Sequence, residues 1–201
     1  MTTVAILAGG AASRFDGVDK SALVVEGRPI LDRQLQEIRR LADLSDILVV
    51  GSHPLRQQQP GPGVRYVEDA SPGCGPLGGM VTAFAETGAE RLLIVACDMP
   101  FVTAPLLAHL ARLTEGADAV VPETEGGYHP LCAAYTRACE PKARARLQDR
   151  RLAVRGLLDD VRVRVVSSEE LAIFGDPTRL LANVNSPAAL QWIEAQKIHE
   201  A

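Results

Sequence analysis

Thr3-Val4-Ala5-Ile6-Leu7 runs straight into Ala8-Gly9-Gly10-Ala11-Ala12-Ser13-Arg14, with Asp19-Lys20 close behind. A five-residue apolar run is too short for a buried helix and fits a strand. The small residues after it let backbone N–H groups approach an anion closely. Four further runs repeat the theme. Ile47–Val50 ends at Gly51-Ser52, Val64–Val67 at Glu68-Asp69, Leu92–Ala96 at Cys97-Asp98, and Ala119–Val121 at Pro122. Between them, Ile30–Leu41 places Ile30, Leu31, Leu35, Ile38 and Leu41 at helical spacing. Leu77–Glu86 starts just after Pro76, and Ala104–Leu113 has Thr103 as N-cap and Pro105 in its first turn. Alternation of this kind predicts an α/β fold, a three-layer, doubly wound, mostly parallel sheet.

After Pro122 the pattern changes. Tyr128–Tyr135 reads as a strand, Arg137–Gln148 as a helix, Val161–Val166 as a short strand, and Ser186-Pro187 as the start of a final helix reaching about Gln196. No linker rich in Gly, Ser or Pro separates the parts, so residues 1–201 read as a single domain. A chain of 201 residues buries roughly 70% of its unfolded surface without a disulfide or metal staple. The net charge of −4 argues against a protein that coats nucleic acid. Cys74, Cys97, Cys132 and Cys139 show no C-x-x-C spacing and read as reduced, mostly buried thiols. With no long apolar run and no basic leader ahead of Val4, the expectation is a cytoplasmic protein that meets no membrane.

In an open parallel sheet, ligands bind at the carboxyl edge of the strands. At that edge the sequence puts two Gly-rich loops, Arg14, Lys20, Asp69 and Asp98. This combination asks for a phosphate ligand with a divalent metal. Arg14 grips phosphate by a fork of two bonds and Lys20 by a point charge. Asp98 follows an apolar strand and precedes Met99-Pro100, a fitting ligand for Mg²⁺, which takes one or two protein carboxylates and keeps its waters. Asp69 either contacts the ligand or turns the chain before Pro72. The loop around Gly75 suits packing against a base or sugar. Its G-x-G-x-x-G spacing, Gly73, Gly75 and Gly78, is separated from the preceding strand by Asp69–Pro72, which argues against a dinucleotide fingerprint. His53, His109 and His199 read as surface residues, and the run Arg144, Arg146, Arg150, Arg151, Arg155 as a solvated face.

Leu7-Ala8-Gly9-Gly10, Ser13-Arg14 and Gly17-Val18-Asp19-Lys20 resemble the signature of nucleotidyltransferases, specifically the molybdenum cofactor guanylyltransferase family. The match continues through Glu68-Asp69, Gly75-Pro76-Leu77-Gly78-Gly79, Cys97-Asp98-Met99-Pro100, His129-Pro130-Leu131 and Asn183-Val184-Asn185-Ser186-Pro187. The resemblance implies a Rossmann-like nucleotidyltransferase fold. It implies transfer of GMP from GTP to molybdenum-molybdopterin with release of pyrophosphate, Mg²⁺ as cofactor, and delivery or acceptor proteins as further partners. It also implies that Leu7, Ala8, Gly9 and Gly10 hold nucleotide, that Lys20 meets the phosphates, that Asp69 contacts the nucleotide, and that Asp98 binds nucleotide and metal. Where the family often carries Asn after the second strand, this chain has Ser52 between Gly51 and His53. The rival readings are a cytidylyltransferase, a sugar-phosphate nucleotidyltransferase, and a non-catalytic GTP-binding cofactor carrier.

Overall fold

The structure, a computed structural model, describes residues 1–8, 23–51 and 62–184, together with the backbone of Arg14–Phe15 and Val18–Asp19. Strand β1 (Thr2–Leu7) sits inside the main sheet and is buried along its whole length. It pairs in parallel with β6 (Leu44–Gly51) on one side and β8 (Arg91–Ala96) on the other. Strand β7 (Val64–Glu68) extends the sheet beyond β6 in parallel. The short pieces β2 (Arg14–Phe15), β3 (Val18–Asp19), β4 (Val24–Val25) and β5 (Arg28–Pro29) form two small ribbons outside this sheet.

Side chains alternate along β1 as the strand period requires. Val4, Ile6 and Ala8 enter one core, and Ala5 and Leu7 the other. Helix α1 (Ile30–Ile38) and helix α3 (Ala104–Arg112) cover the first face with Leu31, Leu35, Ile38, Leu106, Leu107 and Leu110. Helix α2 (Gly75–Glu86) and helix α4 (Cys139–Gln148) cover the second with Leu77, Met80, Phe84, Cys139 and Ala143. These are the three layers that the alternation predicts.

Beyond β8 the sheet turns antiparallel for one strand. β11 (Cys132–Thr136) runs against both β8 and β9 (Ala119–Thr124), and β12 (Val163–Val166) pairs in parallel with β9. The single strand expected over Tyr128–Tyr135 is two pieces. β10 (Gly127–Tyr128) forms a tight hairpin with β9, and the chain leaves the ladder at His129-Pro130-Leu131 before β11 begins. Proline has no N–H to give a ladder, so the break falls there. α5 (Val154–Leu157), α6 (Ser168–Leu171) and α7 (Pro177–Leu180) are single turns that close the ends of the two cores. The final helix expected from Ser186 lies outside the described residues.

Two local expectations need correction. Thr103 stands at the N-cap position of α3, but its side chain makes no capping bond. Instead Glu37 Oε2, on α1, accepts the N–H of Ala104 over 2.9 Å. Arg146 is 7% exposed rather than solvated, because its Nε donates to Asp160 Oδ2 over 2.5 Å. A Cβ on Gly156 would meet Arg146 Nη1 at 2.4 Å, so that glycine makes room for the guanidinium.

Candidate functional site

Strand order around β1 reverses direction in sequence: β6 follows it on one side and β8 on the other. This switch point opens a crevice at the carboxyl ends of the strands. Backbone bonds carry the ladder just past those ends. Ala8 N–H donates to Val50 O over 2.7 Å, Cys97 N–H to Leu7 O over 3.1 Å, and Asp69 N–H to Gly51 O over 3.0 Å. Leu7, Ala8, Asp69 and Asp98 therefore stand on one rim, as their strand-end positions predict. Leu7 and Ala8 are buried, so their contribution is backbone and shape, while Asp69 and Asp98 are half-buried.

Asp98 and Asp69 are separated along that rim. Asp98 follows β8, next to β1; Asp69 follows β7, three strand positions from β8. At roughly 4.8 Å per strand their backbones are about 14 Å apart, too far to share one ion. Asp69 is also committed locally. Its Oδ1 accepts Ser71 N–H over 2.9 Å and Thr82 Oγ1 over 3.1 Å, the side-chain-closed turn its chemistry favours. The turning role is thus present in the structure. Among the described residues, no three His, Cys, Asp or Glu side chains converge as a metal cage. The hard oxygen donor of Asp98, half-buried at a strand end, fits a cation that needs only one or two carboxylates.

The loop before α2 has Gly73 at φ +80°, and Gly75, the first residue of α2, is at φ +63°. A side chain strains that region, which explains glycine there. Gly78 answers a different need: a Cβ there would lie 2.8 Å from Ser71 O. The glycines of the G-x-G-x-x-G spacing thus shape a turn and a close helix contact. Gly9, Gly10, Lys20 and Ser52, with the side chain of Arg14, lie outside the described residues; Asn185 does too.

A basic group follows α4, and its Arg150 reaches the loop before α2. α4 returns to the carboxyl edge because β11 runs away from it, bringing Arg150 and Arg151 with it. Arg150 (φ +58°) puts Nη1 3.8 Å from Cys74 Sγ, and the Arg155 guanidinium lies 5.5 Å over the Tyr128 ring. Beside them His129 shares a 2.8 Å hydrogen bond with Thr124 Oγ1, and burial holds its imidazole below the usual range. Burial pushes the Cys132 and Cys139 thiols up to about 12, so neither supplies a thiolate near neutral pH. His109, expected at the surface, packs its ring 5.0 Å from that of Phe174.

A cavity of about 590 Å³ is lined by Glu26, Arg33, Pro100, Phe101, Thr103 and Arg179 among others. Among the described residues, the sequence-predicted site residues Leu7, Ala8, Asp69, Gly75 and Asp98 are not part of its lining. Its charges answer one another: Glu26 pairs with Arg33 at 3.0 Å and Arg179 at 2.7 Å.

The described elements define an α/β protein with a mostly parallel sheet whose strand order switches at β1. A family model described as the MobA-like NTP transferase domain matches residues 4–165, and the chain belongs to that family. It is 30% identical over 191 residues to a molybdenum cofactor guanylyltransferase of Desulfosudis oleivorans, covering 94% of this chain and 93% of that protein. Among solved structures, it superposes on molybdopterin-guanine dinucleotide biosynthesis protein A of Archaeoglobus fulgidus. The TM-score is 0.81 at 22% identity, covering 98% of this chain and 99% of that one. It also superposes on 2-C-methyl-D-erythritol 4-phosphate cytidylyltransferase of Thermus thermophilus, with TM-score 0.70 at 19% identity and 98% of each chain covered. At these identities the structural likeness speaks for the fold. No helix among the described residues is long and apolar enough to cross a membrane.

Proposed function

We propose that this chain, acting as one nucleotidyltransferase domain in the cytoplasm, transfers GMP from GTP to molybdenum-molybdopterin and releases pyrophosphate. The observation that carries this reading is the bond from Cys97 N–H to Leu7 O at the sheet's switch point. It sets the nucleotide-loop end of β1 directly beside the strand end that bears Asp98. The relatives named as molybdenum cofactor guanylyltransferases support the choice of substrates.

The reaction joins two polyanions. A terminal phosphate oxygen of the pterin attacks the α-phosphorus, the α–β P–O bond breaks, and pyrophosphate leaves with the electron pair. The protein's task is alignment and charge neutralisation rather than covalent chemistry. Backbone at Leu7, Ala8, Gly9 and Gly10 holds the nucleotide, with Ser52, Asp69 and Gly75 flanking it. Lys20 and Arg14 offset charge developing on the phosphates. Mg²⁺, when bound, supplies further neutralisation, and Asp98 is the residue that holds it. Arg150 and Arg155 face the acceptor's anionic groups.

The test is pyrophosphate release measured with each of the four nucleoside triphosphates, with and without molybdopterin. Turnover with GTP, dependent on the pterin, is expected, and Asp98→Ala should lower it by about 10²-fold or more while the protein stays folded. Turnover with CTP instead would move the assignment to a cytidylyltransferase. GTP binding without pyrophosphate release would make the chain a carrier. Full turnover in Asp98→Ala would remove Asp98 from the site.

A further inference from the structure

Helix α1 turns Ile30, Leu31, Gln34, Leu35 and Ile38 to the core, and Gln34 is the one polar member of that stripe, with no exposed surface. Its Nε2 donates to Ala96 O over 2.8 Å and to Met99 O over 2.9 Å. These carbonyls belong to the first and fourth residues of the turn Ala96-Cys97-Asp98-Met99. The turn's own bond, Met99 N–H to Ala96 O, is a longer 3.3 Å. The side-chain amide is therefore the shorter strap across it. Gln34 Oε1 is buried with no hydrogen-bond partner among the described residues. A buried acceptor left unmatched disfavours the fold. Methionine, close in volume and unbranched, would fill the same space without that penalty. Packing alone thus gives no reason for an amide here, whereas the two carbonyls do.

We infer that Gln34 is a positioning residue: by strapping the Ala96–Met99 turn from α1, it fixes where Asp98 presents its carboxylate. It touches neither nucleotide nor acceptor. The inference rests on the role proposed above for Asp98.

The experiment compares Gln34→Met, Asp98→Asn and Ile38→Val in the full chain. Ile38→Val loosens the far end of the same helix without reaching the turn. Gln34→Met should lower kcat for guanylyl transfer about tenfold or more with KM for GTP changed less than about threefold. Amide exchange at Asp98 and Met99 should speed up about tenfold, while the unfolding midpoint stays within about 5 °C of the parent. Ile38→Val should lower the midpoint and leave kcat and that exchange unchanged. If Gln34→Met does not fold, Gln34→Asn, whose amide is withdrawn by one methylene, is read in the same way. Unchanged kcat and exchange in the Gln34 variant, beside an inactive Asp98→Asn, would overturn the positioning role and leave the site reading standing. An active Asp98→Asn would overturn both. Equal loss of kcat in Ile38→Val would reduce Gln34 to an ordinary core residue.

Discussion

Val184 donates its backbone N–H to the carbonyl oxygen of Asp98 over 2.8 Å. The segment after α7 is thereby strapped to the turn that carries the candidate metal ligand. Val184 is fully buried against Val25, Ile30 and Phe101, so the strap is held by apolar packing as well. Val184→Ala removes two methyl groups from that cluster. At ~0.8 kcal/mol for each carbon, plus a cavity term, it should lower stability by about 2 kcal/mol. Urea unfolding checks the number. The same variant should lower guanylyl-transfer kcat more than it raises KM for GTP. Parallel changes in both would mean that the strap does not reach the Asp98 turn.

Gly78 and Gly79 are neighbours in α2 with opposite tolerance. Replacing either with alanine raises helix propensity by about 1 kcal/mol. At Gly78 the new Cβ would stand 2.8 Å from Ser71 O and 3.1 Å from Cys74 Cβ, both fixed by a loop already closed on Asp69 Oδ1. Overpacking of about 1–3 kcal/mol exceeds the propensity gain, so Gly78→Ala should destabilise. At Gly79 the nearest atom is Leu7 Cδ2 at 3.2 Å, a side-chain end that can give way. Gly79→Ala should be close to neutral. Thermal unfolding of the pair decides the matter, and equal effects would refute the close contact at Ser71.

What the sequence made legible follows from range. β1 and β8 could be read because a strand buried on both faces is a nearly continuous apolar run, and the rim followed from which residues stand after those runs. The cap of α3 could not, since Glu37 comes from another helix, 67 residues before Ala104. Arg146 looked solvated because its counter-charge, Asp160, lies 14 residues on and meets it only in the folded chain. Gln34 carried a signal that was there to read: a polar residue at a core position of the α1 stripe. For Gly9, Gly10, Lys20 and Ser52 the sequence remains the argument.

Glu26 ties the β4–β5 hairpin to two helices. It occupies the left-handed region (φ +52°) ahead of Gly27 (φ +78°), the pair a tight two-residue hairpin needs. Its carboxylate pairs with Arg33 and Arg179, whose guanidiniums lie 5.3 and 4.3 Å from the Phe101 ring centre. Burial alone would raise the Glu26 pKa, but Arg33 and Arg179 together bring it below the usual carboxylate value. Glu26→Gln leaves two cations on one ring without their partner. The group keeps some solvent, so the loss should be about 1–3 kcal/mol at neutral pH. Because the folded pKa is depressed, this stability is complete above the unfolded value near 4.5 and disappears as pH falls through the folded one. Urea midpoints of parent and variant should therefore converge in acid. A gap that persists there would mean the stabilisation is packing rather than charge.

His129 sets a second pH dependence, nearer neutrality. Its ring bonds Thr124 Oγ1 over 2.8 Å, its N–H donates to Pro122 O, and its carbonyl accepts Cys132 N–H, so it joins the end of β9 to the start of β11. Burial disfavours the imidazolium and moves its pKa below 6.5. The unfolded chain then binds this proton more readily than the folded one. Stability from the neutral ring is full above the unfolded pKa of about 6.5 and is lost as pH falls towards the folded value. His129→Gln keeps a hydrogen-bonding group for Thr124 but cannot titrate. Between about pH 7.5 and 5.5 the parent should lose more unfolding free energy than the variant. His109, also lowered by burial and by Arg112, contributes to the slope that both proteins share. Identical slopes for parent and His129→Gln would show that the ring is not held neutral at the β9–β11 corner.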